Sequence, residues 1–182
     1  MSLERLKHDG YGQLELNLVS FRRIGAIEAQ CALDPTDFET VPAENGMLLA
    51  VDNVTRTVKF AKDNKLPLAL NYTAEHMYDE RHNALKDFCL KRGEFYPRLG
   101  YLQTGDKFTT NCVAFTTEEF GGGETTLLEA MEPETLAETR LYGTYCANGA
   151  IKVTKVETGA PLLVLAKTTM PDGQTAVKFQ AR

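Results

Sequence analysis

At 182 residues and a net charge of −5, the chain suits one compact domain, and its acidic balance argues against a general nucleic-acid surface, which needs excess Lys and Arg. Hydrophobic residues make up 43% and charged residues 25%, proportions that exclude wholesale disorder. No apolar run approaches the ~18 residues of a membrane span, and Met1 to Gly10 alternates charge without an apolar stretch, so neither an anchor nor a secretion signal is expected.

Residues 1–12 are polar, contain Gly10 and Gly12, and are expected as an N-terminal arm. Leu14, Leu16 and Leu18 then alternate with Gln13, Glu15 and Asn17, which predicts a half-buried strand over 13–19. After the loop signals Asp34-Pro35 and Val41-Pro42, the turn Glu44-Asn45-Gly46 opens the apolar run Met47 to Val51. Asp52-Asn53 turns the chain into Thr55 to Phe60, and Asp63-Asn64-Lys65 leads to Leu66 to Leu70. Three short strands between polar turns read as a meander. Charges are dense over 74–92, where Leu85, Phe88 and Cys89 fit one face of a short helix near 82–92, capped by Gly93. Thr104-Gly105-Asp106 then turns into a strand predicted over Lys107 to Phe115.

Gly121-Gly122-Gly123 is a flexible joint, and residues 118–140 hold seven acidic residues against one basic. Pro133 prevents one continuous helix there, so a flexible acidic insertion is expected near 118–140. From Tyr142 the pattern is β again, with strands predicted over Ile151 to Val156, Pro161 to Ala166 and Thr175 to Ala181. Pro171-Asp172-Gly173 joins the last two, and Val177, Phe179 and Ala181 share a face. Thr outnumbers Ser by 20 to 2, and Thr109-Thr110, Thr116-Thr117 and Thr168-Thr169 suit polar strand faces. The fold expected is mainly β: a single domain over 1–182 with a sandwich or barrel-like core and one short helical insertion.

Chemistry is thinly signposted. Glu75-His76-Met77-Tyr78-Asp79-Glu80-Arg81-His82 gathers two histidines and three carboxylates. That is enough for a metal-dependent enzyme centred on His76, Asp79, Glu80 and His82. The two histidines stand six apart, however, and so do not share a helical face, which favours a solvated charged loop. The triple glycine and Thr104-Gly105-Asp106 lack the Gly-Lys-Ser/Thr ending of a phosphate loop. Asp52, Asp106 and Asp172 sit in turns, where aspartates bond to nearby backbone. Ser2 and Ser20 lie outside any nucleophile elbow. Cys31, Cys89, Cys112 and Cys146 are far apart and read as reduced, buried apolar residues. No catalytic, cofactor-binding or metal-binding residue is assigned, and no enzyme activity or cofactor is expected.

The stretch 44–70 adds a resemblance. Gly46 opens the strand Met47 to Val51, Val54 to Phe60 follows, and the Pro-containing apolar strand Leu66 to Leu70 closes the pattern. This resembles the β-rich core of tailed-phage capsid decoration, or cement, proteins. The likeness continues through Gly105-Asp106 and the strands of 151–181 and covers about half the chain, without a signature motif. It does not account for residues 72–98 or the acidic segment. What it implies is a non-enzymatic virion protein, assembled in the host cytoplasm, that binds the outside of the head shell. The implied partners are the major capsid protein or other virion proteins, with a homo-oligomer, a trimer above all, and no membrane or direct nucleic-acid contact. A phage tail or head–tail connector protein, the metal-dependent enzyme above and a cytosolic ligand-binding barrel are the competing readings.

Overall fold

A computed structural model describes residues 2–63, 65–74 and 84–182. The first half runs β1 (Leu3–Arg5), β2 (Leu14–Leu18), the single helical turn α1 (Phe21–Ile24), β3 (Ile27–Glu28), β4 (Ala32–Leu33) and β5 (Leu48–Asp52). β6 (Thr57–Phe60), β7 (Leu68–Asn71), β8 (Leu99–Gly100), β9 (Lys107–Thr110) and β10 (Val113–Thr116) follow. The helices α2 (Glu124–Ala130) and α3 (Pro133–Glu138) precede β11 (Tyr142–Thr144), β12 (Ile151–Thr154), β13 (Leu162–Thr169) and β14 (Thr175–Ala181). The chain is mainly β, built as two mixed sheets packed together.

The larger sheet has eight strands in the order β1-β10-β12-β11-β13-β14-β9-β2. β9 and β10 sit five strand spacings apart in that order, ~24 Å if the sheet were flat. Only Asn111 and Cys112 separate them in the chain, a reach of ~11 Å. The sheet must therefore curl until its two ends approach, with β9 and β10 forming one strand bent at Asn111-Cys112. The bend is held by side chains. Thr110 Oγ1 donates to the Gln13 carbonyl at 2.6 Å and accepts from the Cys112 N–H at 3.0 Å, while Asn111 Oδ1 accepts from the Gln13 N–H at 2.6 Å. The uninterrupted strand predicted over 107–115 is thus two strands, and Thr110 is buried rather than part of a polar face. Thr109 and Thr116 are buried as well.

The second sheet has six strands, β3-β8-β7-β5-β6-β4, with β5 between β6 and β7. This corrects the meander, which would place β6 in the middle. Burial explains the difference: Leu48 packs with Leu70 into a core shared with the larger sheet, while Leu49 and Val51 enter a second core with Val58 and Phe60. An apolar run with no polar face belongs at the centre of a sheet. The same two cores take Val113 and Phe115 on one side of β10 and Ala114 on the other, so each core draws on both sheets.

The helix predicted near 82–92 is, over its described part, a 3₁₀ turn at Leu85–Asp87. Leu90 exchanges two backbone hydrogen bonds of 2.9 Å with Ala43, which draws the chain out straight before a second helical turn forms. Helix appears instead in the acidic segment. Pro133 opens α3 at its first position, where a missing N–H does no harm. Leu127, Met131 and Leu136 sink into the first core beside Phe120, so the segment expected as a flexible insertion is seated on the larger sheet. The N-terminal arm is also part of the fold: β1 pairs antiparallel with β10, and Leu6 is buried behind it.

Candidate functional site

The acidic-histidine cluster of residues 75–82 lies outside the described residues. Among the described residues no group of three or more His, Cys, Asp or Glu side chains is placed to hold a metal ion. Nor is any helix among them long and apolar enough to cross a membrane. The turn aspartates do local work. Asp52 accepts from the Val54 and Thr55 N–H groups, and the Thr55 contact above all holds its carboxyl down at about 2. Asp172 accepts from the Gln174 N–H and from Gln13 Nε2. Cys31, Cys112 and Cys146 are buried free thiols and Cys89 is half-buried; burial raises the first three above the ordinary thiol range.

The most elaborate polar arrangement joins the N-terminus to both sheets. Glu44, almost fully buried, takes a two-pronged ion pair from Arg5 at 2.7 and 2.8 Å and a hydrogen bond from the Gly12 N–H at 2.7 Å. Its own carbonyl accepts from Asn71 Nδ2 at 2.8 Å. Burial pushes the Glu44 carboxyl up, but the Arg5 hydrogen bonds and charge, with the Gly12 N–H, outweigh it and hold it below the ordinary range. Gly46 follows with φ +84°, and a Cβ there would lie 2.0 Å from Thr110 Oγ1. The turn read from Glu44-Asn45-Gly46 therefore packs directly against Thr110, at the bend between β9 and β10. Chemically this is a closed joint, with its charges paired internally.

A different surface faces outward. β2 ends the larger sheet and pairs only with β9, leaving its other edge open among the described residues. A register shift between Leu16 and Leu18 breaks the alternation predicted over 13–19. Leu14 and Leu16 pack on the core, while Leu18 is 55% exposed. α1 follows at once. Phe21 is driven fully inside, against the Tyr72 ring at 5.1 Å and over Gly100, whose missing side chain leaves it room. Asp106 fixes the start of the turn by accepting from the Ser20 N–H and hydroxyl, each at 2.8 Å. Gly25, at φ +72°, ends it in the left-handed conformation. One side chain in and a locked frame on both ends leave Arg22, Arg23 and Ile24 held outward, Ile24 at 62% exposure.

Sequence reasoning passed over this ridge. The signal was there in the run Ser20-Phe-Arg-Arg-Ile-Gly25, where apolar residues three apart precede a glycine stop. A second surface feature is a groove of about 540 Å³ between α3 and β13, lined by Met131, Leu136, Ala137 and Val164 and by Leu165 to Lys167. Among the described residues β13 pairs with β11 through Leu162 and Leu163, with one further bond from Val164 to Leu141, and from Leu165 onward that edge is open. Glutamates crowd this region: residues 124–138 carry five and no basic residue. Lys167 pairs with Glu132 at the rim, and Arg140 also lines it.

Comparison with protein-family models, with curated proteins and with solved structures found no match for this chain.

Proposed function

We propose that this chain is a non-enzymatic structural protein of a tailed-phage virion, a decoration protein that binds the outside of the head shell. The resemblance of residues 44–70 supplies the virion setting. The observation that carries the reading is the outward face of β2 and α1. Among the described residues β2 has an open edge, and Leu18, near its end, and Ile24 of α1 are two large apolar side chains held in solvent. Open edges and rigid exposed apolar groups are features proteins use to bind other proteins, because edge backbone groups and apolar surface are both satisfied by a partner chain. Bound in many copies on a lattice, even a small face of this kind accumulates strong attachment.

The test has two arms. Mass spectrometry of purified virions fractionated into heads and tails should recover the chain in the head fraction. Shells lacking the protein, mixed with purified chain and pelleted, should carry it down in saturable amounts. Recovery in the tail fraction would move the protein to the tail or connector, and absence from virions would overturn the reading.

A further inference from the structure

We propose that the α1 ridge of one copy seats in the groove between α3 and β13 of a second copy. This names the partner for the outward face and rests on the reading of that face as a protein-binding surface. Three observations fit the two patches together. The first is shape: Ile24 projects from a four-residue turn that cannot retreat, since Phe21 anchors it from below and Asp106 and Gly25 fix its ends. The groove is a recess of about 540 Å³ lined by Met131, Leu136 and Val164 together with Glu132, Arg140 and Lys167, ample for that side chain.

The second is charge. Residues 17–26, spanning the ridge, hold Arg22 and Arg23 and no acidic residue. Residues 124–140, whose second half lines the groove, hold Glu124, Glu129, Glu132, Glu134 and Glu138 against one basic residue, Arg140, while Lys167 across the groove is paired with Glu132. Opposite potentials on two separate patches of one chain steer and orient the docking of identical copies, and they discourage ridge-to-ridge and groove-to-groove pairings.

The third is backbone. The ridge follows β2 directly and the groove is lined by the second half of β13, and among the described residues both strands have an unpaired edge there. Because the two patches share no residue, the contact is heterologous. Repeated from copy to copy, it closes into a ring where the rotation allows and otherwise runs on as an open chain.

Light scattering after size exclusion tests this on the full chain in low and high salt. Wild type should associate in low salt and less so in high salt. Ile24→Asp and Arg23→Glu disrupt the ridge at exposed positions, and Ala137→Arg fills the groove from the exposed side of α3 with a good helix former. Each variant should keep the wild-type urea midpoint yet associate on the order of thirtyfold more weakly, as loss of a central anchor does. An equimolar mixture of I24D and A137R retains one intact ridge and one intact groove, so it should form a dimer where neither variant does alone. Wild type that stays monomeric at its solubility limit would overturn the proposal, as would variants that associate like wild type or a mixture that stays monomeric. A monomer that still binds shells would refute this contact and leave the virion reading standing. An oligomer that ignores shells would do the reverse.

Discussion

Glu44→Gln isolates the charge of the joint from its shape. Glutamine keeps the volume and one acceptor oxygen, but the Arg5 guanidinium loses its anionic partner and the Gly12 N–H exchanges a carboxylate for an amide. Removing one partner of a fully buried ion pair costs about 3–5 kcal/mol, because the other charge is left uncompensated. Here the Arg5 side chain is 29% exposed, so water screens part of that loss and about 2 kcal/mol is the expected destabilisation. In a chain of this length that corresponds to a fall in Tm of roughly 4–8 °C. The effect is tied to pH. The Glu44 carboxyl lies below its ordinary 4.5 in the folded protein, so its contribution is fully present above that value. It is lost as the pH falls through the depressed folded value. Urea midpoints measured at neutral pH and at a series of lower pH values should therefore show wild type and Glu44→Gln converging in acid. Adding Arg5→Met should cost less in the Glu44→Gln background than in wild type, since the charge it removes has already lost its partner. Equal midpoints at neutral pH, or a constant gap across the acid range, would refute the claim that the joint is held by a buried charge pair.

Gly46→Ala should destabilise by about 2–5 kcal/mol, combining the left-handed backbone with a clash against Thr110, whereas Gly173→Ala, equally left-handed but in open space, should cost only about 1–2 kcal/mol; chemical denaturation compares the two. Deleting residues 121–134 and rejoining the ends should abolish cooperative unfolding in calorimetry, because Leu127 and Met131 leave a core they fill completely. Asp106→Ala removes three hydrogen bonds at the base of α1, from the Ser20 N–H and hydroxyl and the Gln103 N–H, and should cost about 1–3 kcal/mol while raising hydrogen exchange over 20–25. A maleimide probe should label half-buried Cys89 first among the four thiols and reach Cys112 only as the protein unfolds, a sequence that peptide mapping reads directly.

Local pattern determined a good deal of this protein. β14 occupies the predicted Thr175–Ala181 with Val177, Phe179 and Ala181 buried on one face, and the strands of 47–70 fall within two residues of their predicted starts. Strand alternation, turn residues and Pro133 act over a few residues, so a few residues suffice to read them. The neighbours of each strand were another matter. β5 took the centre of its sheet because two distant cores both needed its apolar run, and Thr110 went inside because the curled sheet bends there. The candidate surface shows the same division. Phe21 and Gly25 mark a short turn in the sequence, but Leu18 faces solvent only because a register shift against β9 turns it out of an otherwise regular alternation. Glu44 read as a turn residue, and its pairing with Arg5, 39 positions away, exists only once β1 has docked on β10 and the N-terminus has crossed to the second sheet. Such contacts are set by chain closure over long sequence separations, which local patterns do not encode.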